Sequence, residues 1–237
     1  MKAAKFFSDE NFSETKTILF DFGGTIDSDG IAWKEHFEPL YHRAGIVWNQ
    51  EKFDRCFYFS DDFLTDRGLK KTGYPTMLRR QVGLVLKQGG AYNLKLRNKI
   101  AEAFMQNCFR NFKRNAPLLR ELSKKYKLGI VSNFYGNLPH LLKEVDLARY
   151  FGAVIDSRWQ GCIKPDAAIF NAALNLLNAR VRETVFVGDS LKRDMAGAKN
   201  LNMAHIWLNP QPKFDDKRCC AQDKIIRTFL DLERIFL

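Results

Sequence analysis

Acidic and hydroxyl side chains stand where several short apolar runs of this chain end. Asp21 follows the run at 16–20, and Asp189 follows the run at 184–188. Ser132 closes a third such run. Because ligands of open α/β sheets bind beyond the carboxyl ends of the strands, we expect these side chains to share one edge of a sheet. A carboxylate at such an edge can act as a nucleophile or as a ligand of Mg²⁺.

Each polar residue that could do chemistry in this chain also has a purely structural interpretation. An Asp that follows a strand often caps the next helix, as Asp21 could. Ser132 and Asn133 are residue types that form turns. Lys164 could be a surface lysine, and Asp194 could cap its helix or pair with a neighbouring cation. Residue types alone leave both interpretations open.

Strands and helices alternate in the hydrophobic pattern beyond residue 115. This alternation predicts an α/β fold with a Rossmann-like, parallel, doubly wound sheet as its core. The predicted strands are 16–20, 128–132, 153–156, 184–188, 204–208 and 224–226. The predicted helices are 117–126, 137–148, 166–178, 192–201 and one at the C-terminus.

Residues 31–112 follow a different pattern, with apolar side chains at helical spacing and no convincing strand. Glycines and a proline at 73–75 and 89–90 punctuate this stretch as turns. We predict a helical insert joined to the core by two polar connections, near 27–30 and 113–117. Such connections should let the insert move and exclude water from a site beneath it.

Four segments read together carry a family resemblance. They are Asp-Phe-Gly-Gly-Thr at 21–25, Ser-Asn at 132–133, Lys-Pro-Asp at 164–166, and Gly-Asp-Ser at 188–190 with Asp194 after it. In order and spacing they resemble the motifs of the haloacid dehalogenase superfamily, in the subfamily that inserts a helical cap after the first motif. The resemblance implies a Rossmann-like core from residues 1–28 and 115–237, with a helical cap over 29–114.

The resemblance also implies catalytic roles for three residues. Asp21 would be the nucleophile and would form an aspartyl-phosphate. Lys164 would neutralise the nucleophile and the transferring group, and the Ser132 hydroxyl would donate to a phosphoryl oxygen. The implied phosphate-binding set, including backbone N–H donors, is Phe22, Gly23, Ser132, Asn133 and Lys164.

A magnesium site follows from the same resemblance. Mg²⁺ takes a few carboxylates together with waters and the substrate phosphate. Asp21 and Asp189 would be carboxylate ligands, and Asp194 would assist directly or through water. Residue 23 would contribute its backbone carbonyl, which a glycine still possesses.

Gly23 departs from the family pattern, because the phosphatases of this family carry a second Asp there. That Asp protonates the leaving alcohol and later activates water, a contribution of about 10²–10⁴-fold. The chain could use substrates with good leaving groups, such as acyl phosphates. Asp27 or Asp29 could replace the missing acid, although both also belong to an ordinary turn cluster. The chain could also bind phosphate without useful turnover.

We therefore predict a Mg²⁺-dependent phosphohydrolase acting on a small phosphorylated metabolite. The alternative is a phosphate-binding regulatory or interaction protein with little turnover. A 2-haloacid dehalogenase is a lesser alternative, since those enzymes also lack the second Asp. They need no metal, however, and the acidic segment from Asp189 to Asp194 looks suited to one.

The chain has 237 residues and a formal net charge of +11, and residues 30–114 hold 16 Lys and Arg against 8 Asp and Glu. A basic segment suits anionic ligands. Five of its cations are candidates for a substrate's distal anion: Arg67, Lys70, Lys71, Arg79 and Arg80. No nucleic-acid-binding motif accompanies them, so we do not expect a nucleic-acid partner.

The N-terminal residues lack the apolar stretch of a signal peptide, and no apolar run approaches the roughly 18 residues of a membrane span. The chain has 5 cysteines, with no C-x-x-C pair. An odd number of scattered cysteines favours a reducing compartment. We therefore expect a cytoplasmic protein with no membrane partner.

Overall fold

The computed structural model of the protein describes residues 12–211 and 224–237. Within them, six strands form one parallel sheet. The strands are β1 (Thr17–Phe20), β2 (Lys127–Ser132), β3 (Ala153–Asp156), β4 (Thr184–Gly188), β5 (Ala204–Leu208) and β6 (Lys224–Ile226). Their order across the sheet is β3-β2-β1-β4-β5-β6. The predicted Rossmann-like α/β core is confirmed, with strand bounds within one residue of the predicted ones.

The central strand β1 is buried along its whole length. Parallel strands are covered on both faces, which is why they read as near-continuous apolar runs rather than alternating ones. β1 lies between β2 and β4, with Phe20 opposite Ile130 on one side and Val187 on the other. The carboxyl ends of these three strands therefore open at one level, at the point where the strand order reverses.

Helices cover both faces of this sheet. They are α5 (Leu138–Glu144), α6 (Ser157–Gln160), α7 (Ala167–Leu177), α8 (Ala196–Asn200) and α9 (Glu233–Phe236). Asp166 caps α7 by accepting a hydrogen bond from the Ala168 N–H at 2.8 Å. The helix predicted at 192–201 is instead a wide turn over Leu191–Met195 followed by the short α8. This turn forms because Asp194 points inward, where its carboxylate accepts the Ser190 N–H.

Four helices form the insert, and no strand occurs in residues 31–112, as predicted. The helices are α1 (Trp33–Arg43), α2 (Gln50–Arg67), α3 (Tyr74–Gln88) and α4 (Leu94–Lys125). Asn49 and Asn93 cap the starts of α2 and α4. The core of the insert is aromatic, and Phe37 stacks on Phe104 with 3.8 Å between ring centroids. We call residues 29–114 the cap.

The prediction of a polar connection at 113–117 is wrong. This segment lies inside α4, a single helix of 32 residues that contains Pro117. The helix continues because apolar residues on both sides of the proline keep facing the core, including Phe112 and Leu119. Asn115 is buried and donates from Nδ2 to the Ile26 carbonyl at 2.9 Å. The predicted boundary between cap and core is thus crossed by a continuous helix.

The segment at 26–29, where the chain enters the cap, is bound to this same helix. Asn111 donates to the carbonyl of Asp27 at 2.7 Å, and Arg114 forms an ion pair with Asp29 at 2.8 Å. The two connections of the cap therefore hold each other, and neither has the character of a free hinge loop.

No helix of the described residues is long and apolar enough to cross a membrane. Cys56, Cys108 and Cys162 are free thiols. Cys219 and Cys220 lie outside the described residues.

Candidate active site

Three carboxylates meet at the carboxyl edge of the sheet. Asp21 follows β1, Asp189 follows β4, and Asp194 reaches back from the wide turn after β4. One oxygen from each lies within 4.8 Å of the other two. The structure therefore brings Asp21 and Asp189, which the sequence placed at strand ends, together with Asp194, at a spacing that a single cation can span.

Lys164 lies between two of these carboxylates and is buried, so it is not a surface lysine. Its Nζ is 2.7 Å from Asp21 Oδ1 and 2.7 Å from Asp194 Oδ1. Burial opposes the charge on Lys164, but Asp194 and Asp21 outweigh burial and raise its pKa. The lysine therefore stays protonated and holds both carboxylates in place.

Asp189 is the carboxylate on which burial and the charges of its neighbours act together. Burial, followed by the neighbouring charges of Asp194 and Asp21, raises the pKa of Asp189 well above its usual range. The Thr25 hydroxyl donates to Asp189 Oδ1 at 2.8 Å, and the Trp207 indole donates to its backbone carbonyl at 2.8 Å. Two cations, Lys164 and the nearby Arg193, face these three carboxylates, and a divalent cation would relieve the remaining repulsion.

Asp194 and Asn133 have side-chain contacts that the sequence did not predict. Asp194 contacts Lys164 and accepts from the Ser190 N–H at 2.9 Å, rather than pairing with an adjacent cation. The Asn133 side chain clamps the backbone of Lys164, accepting its N–H at 2.8 Å and donating to its carbonyl at 3.2 Å. Both residues thereby fix the position of the Lys164 ammonium.

A cavity of about 570 Å³ opens over this cluster, between the core and helices α1 and α2. Of the residues predicted for the site, six line it: Asp21, Gly23, Ser132, Asn133, Lys164 and Asp189. Phe22 and Asp194 are not among its lining residues. The Phe22 ring packs at 5.8 Å from that of Phe112, and its N–H donates to Asp21 Oδ1 at 2.7 Å. Phe22 therefore orients the nucleophile candidate through its backbone.

Trp33 occupies the space beside Gly23. A Cβ at position 23 would lie 3.3 Å from the indole nitrogen of Trp33. The backbone at Gly23 has φ −74° and ψ 120°, which any residue can adopt. Position 23 is thus not restricted to glycine by its backbone. The indole that packs against it is the feature that a larger side chain would have to displace.

Neither Asp27 nor Asp29 faces the cavity. Asp27 is fully buried and accepts from the Gly24 N–H at 2.8 Å, the Trp33 indole at 2.7 Å and the Tyr74 hydroxyl at 3.2 Å. Asp29 accepts from the Phe229 N–H at 2.7 Å in addition to its ion pair. These contacts fit the turn-cluster interpretation, and neither carboxylate lines the cavity over Asp21.

The burial of Asp27 predicts a measurable pH effect on stability. Burial raises the pKa of Asp27 to about 6, against an ordinary value of 3.8. An acid with a raised pKa in the folded state favours folding below pH 4, and this contribution disappears as the pH rises through 6. Asp27→Asn should therefore gain stability over the wild type between pH 4 and 7, by on the order of 2 kcal/mol. Urea unfolding of both proteins at several pH values measures the difference.

The comparison with Asp27→Asn isolates the contribution of one carboxyl to the pH dependence of stability. Tyr74 and Cys108 also face Asp27, and burial raises the pKa of both well above their usual ranges. They stay neutral throughout this interval. A stability difference that does not change between pH 4 and 7 would show that Asp27 titrates normally.

Asp61 is a cavity-lining carboxylate that the sequence did not single out. It comes from α2, on the cap side, and accepts a hydrogen bond from the Tyr135 hydroxyl. Burial raises the pKa of Asp61 above its ordinary value. No local pattern marks it, because it is one of several acidic residues on an amphipathic helix. Only the packing of α2 over the sheet edge brings it to the cavity.

This chain is similar in sequence to one protein family and to several characterised proteins. The family model of haloacid dehalogenase-like hydrolases matches residues 18–208. The haloacid dehalogenase-like hydrolase domain-containing protein 3 of Bos taurus is 39% identical over 88 residues, 36% of this chain and 35% of that protein. The glyceraldehyde 3-phosphate phosphatase of Pyrococcus abyssi is 37% identical over 93 residues, 38% of this chain and 37% of that protein. The matched region thus spans little more than a third of these relatives.

Among solved structures, the putative HAD-hydrolase YfnB of Bacillus subtilis, bound to magnesium, superposes with a TM-score of 0.59. The match covers 94% of this chain and 98% of that one, at 21% sequence identity. At this identity the likeness establishes a shared fold.

Proposed function

Because the chain belongs to the haloacid dehalogenase-like hydrolase family, we propose that it catalyses the Mg²⁺-dependent hydrolysis of a small phosphorylated metabolite. The observation that carries this proposal is the buried cluster at the sheet edge. Asp21 contacts Lys164 at 2.7 Å, and oxygens of Asp189 and Asp194 lie within 4.8 Å of an Asp21 oxygen. A carboxylate nucleophile, a neutralising cation and an acidic pair for a metal are the groups that phosphoryl transfer through an aspartyl-phosphate uses.

In the first step a carboxylate oxygen of Asp21 attacks the phosphorus in line with the leaving oxygen. The bond from phosphorus to the leaving group breaks, and an aspartyl-phosphate forms. Lys164 offsets the negative charge that gathers on the carboxylate and the phosphoryl oxygens. Water then attacks the same phosphorus, releases inorganic phosphate and restores the Asp21 carboxylate.

The residues that would hold Mg²⁺ are Asp21, Asp189, the carbonyl of Gly23 and, directly or through water, Asp194. The fit rests on the donor set, three carboxylates with one oxygen each within 4.8 Å of the others, whose charge Lys164 and Arg193 offset only in part. When bound, the ion would neutralise phosphate charge and orient the phosphoryl group. The Ser132 hydroxyl and the N–H groups of Gly23 and Asn133 would donate to the phosphoryl oxygens.

The leaving group is where the proposed reaction departs from its family pattern. Gly23 supplies no proton, and the space beside it is filled by Trp33. We therefore expect substrates whose leaving group needs little protonation, such as acyl phosphates. A panel of phosphorylated metabolites that includes acyl phosphates, assayed for phosphate release with and without Mg²⁺, tests the proposal. If the protein hydrolyses none of these compounds, the result would favour a phosphate-binding protein with little turnover.

That alternative is a phosphate-binding regulatory or interaction protein with little turnover. The filled space beside Gly23 is the observation that favours it. A dehalogenase is less well supported, because those enzymes need no metal, whereas here three carboxylates lie within 4.8 Å of one another. We expect the protein to work in the cytoplasm, where unpaired thiols such as Cys56 stay reduced.

The metal site yields a direct prediction. Asp189→Ala should weaken Mg²⁺ binding at least about 10-fold, because it removes one of the carboxylates that crowd the site. Isothermal titration of Mg²⁺ into the wild type and the variant measures this. Asp62→Ala, which removes an exposed acid from the cap helix α2, is the matched control and should bind as the wild type does. Equal affinity in Asp189→Ala and wild type would contradict the assignment.

A further inference from the structure

A second cavity of about 720 Å³ lies within the cap, between α2, α3 and the start of α4. We call it the cap cavity. None of its lining residues lines the cavity over Asp21. Its volume falls in the range of roughly 300–1,000 Å³ typical of small-molecule sites. It is therefore large enough for a ligand of its own, apart from the site of the proposed chemistry.

Five cations surround the cap cavity, and its lining contains no carboxylate. They are Arg67 from α2, Arg79, Arg80 and Lys87 from α3, and Arg97 from α4. Among the described residues none of these five forms an ion pair with an acid. Like charges around one hollow repel each other, and a bound anion would convert that repulsion into attraction.

The arrangement follows from helical geometry. The lining residues of α3 follow one another at the three- and four-residue spacing that puts side chains on one face of a helix: Thr76, Arg79, Arg80, Gly83, Leu84 and Lys87. The opposite face of the helix packs into the cap core through residues such as Met77 and Val85. The cations are therefore held on a rigid helix instead of on a loop, which fixes the spacing between them.

Apolar and aromatic groups complete the wall. Leu64 and Leu69 are buried beneath the cavity, while Phe63 and Tyr92 are 38% and 45% exposed. The Arg67 guanidinium lies 5.4 Å from the Phe63 ring, and the Lys87 ammonium lies 5.1 Å from the Tyr92 ring. Rings at these distances hold the cations by cation–π attraction and fix them at the rim of the cavity, where both side chains remain exposed.

We propose that the cap cavity binds a small polyphosphate, either inorganic or the polyphosphate chain of a nucleotide. Five cations without acidic partners call for a ligand with several negative charges close together, beyond what one phosphate carries. Arginine forks match phosphate oxygens in pairs, and four of the five cations are arginines. The hollow, bounded by three helices, suits a compact ligand more than an extended strand of nucleic acid. This proposal does not depend on the proposed hydrolase activity.

Titration calorimetry with inorganic triphosphate and, separately, with ATP tests it, in the absence of Mg²⁺ and at low ionic strength. The wild type should bind triphosphate, and Arg79→Gln/Arg80→Gln should bind it at least 10-fold more weakly. Lys87→Gln reports on the same cavity from another position and should also weaken binding. Lys95→Gln/Lys99→Gln removes the same charge as the double arginine variant from exposed positions of the cap outside the cavity, and should stay within 3-fold of the wild type.

The two probes separate the sources of the ligand. Equal affinity for both supports recognition of the phosphates alone, and tighter binding of ATP supports a nucleotide whose base contacts the rings. Failure of the wild type to bind either probe overturns the proposal. An equal loss of triphosphate affinity in the arginine and lysine double variants also overturns it, because the protein would then attract the anion through its overall positive charge. Tighter binding of a single-stranded oligonucleotide, rising with its length, would overturn it in favour of nucleic acid.

Phosphate release from a substrate found in the metabolite panel shows whether the cap cavity is a separate ligand site or part of the substrate site. It should be unchanged in Arg79→Gln/Arg80→Gln, because the structure places these two arginines in the cap cavity and not in the cavity over Asp21, where a contact with a substrate's distal anion would require them. A fall in turnover at full structural integrity, checked by circular dichroism, would make the cap cavity part of the substrate site and overturn the assignment of a separate ligand.

Discussion

Asp21→Asn should lower phosphate release by about 10⁴-fold or more, to the level of the uncatalysed background. The amide that replaces the carboxylate cannot form the aspartyl-phosphate, and no other carboxylate stands at the end of β1 to replace it. The variant keeps the shape of the side chain, and Lys164 keeps its contact with Asp194 at 2.7 Å. The loss should therefore fall on the chemical step, which single-turnover measurement of phosphate release follows directly.

The control for this variant is its fold and its metal site. Asp21→Asn should unfold cooperatively in urea, and it should still bind Mg²⁺, more weakly, through Asp189 and Asp194. Activity that survives in a folded Asp21→Asn protein would not arise from this cluster. The hydrolase proposal would then give way to the phosphate-binding one.

Gly23→Asp should raise the hydrolysis of an ordinary alkyl phosphate by up to about 10²-fold, the lower end of acid–base contributions. The backbone angles at Gly23 suit aspartate. The new Cβ would lie 3.3 Å from the Trp33 indole nitrogen, so the indole must move by a few tenths of an ångström. The gain should be smaller for an acyl phosphate, whose leaving group needs no proton. Initial rates on both substrates measure the two effects.

A companion variant addresses the contact with Trp33. Gly23→Asp/Trp33→Phe removes the indole nitrogen and leaves the Tyr74 hydroxyl as a donor to Asp27. It should be at least as active as Gly23→Asp, while Trp33→Phe alone should show no gain. Suppose both proteins that carry Gly23→Asp fold, bind Mg²⁺ and show no increase on any alkyl phosphate. Another group would then already supply the proton, and Asp61 in the cavity wall is the first to replace with Asn.

The sequence determined most of the core of this protein. The apolar runs that became β1, β2 and β4 were readable because a strand buried on both faces must be largely apolar. The positions of Asp21, Ser132 and Asp189 at strand ends predicted a shared edge, because parallel strands with right-handed crossovers end on the same side. The substitution at Gly23 was likewise visible as a departure from the family pattern.

Other features depended on contacts between residues far apart in the chain. The continuity of α4 through Pro117 was missed, since a proline shortly after Arg114 and Asn115 resembles a helix start. The contacts of Asn115 and Arg114 with the segment at 26–29 made this stretch part of one helix. Local composition holds no information about such partners.

For the candidate site, too, some features could be predicted from the sequence and others depended on the tertiary structure. Residue type and spacing identified the carboxylates and Lys164, but only the tertiary structure showed Lys164 between Asp21 and Asp194. It also turned Asp27 and Asp29 away from the cavity, brought Asp61 to it and packed Trp33 against Gly23. Strand ends have fixed positions once the sheet is known, and so the sequence determines them. Which cap side chains face the cavity depends on how helices pack over that edge, and only the folded structure decides this.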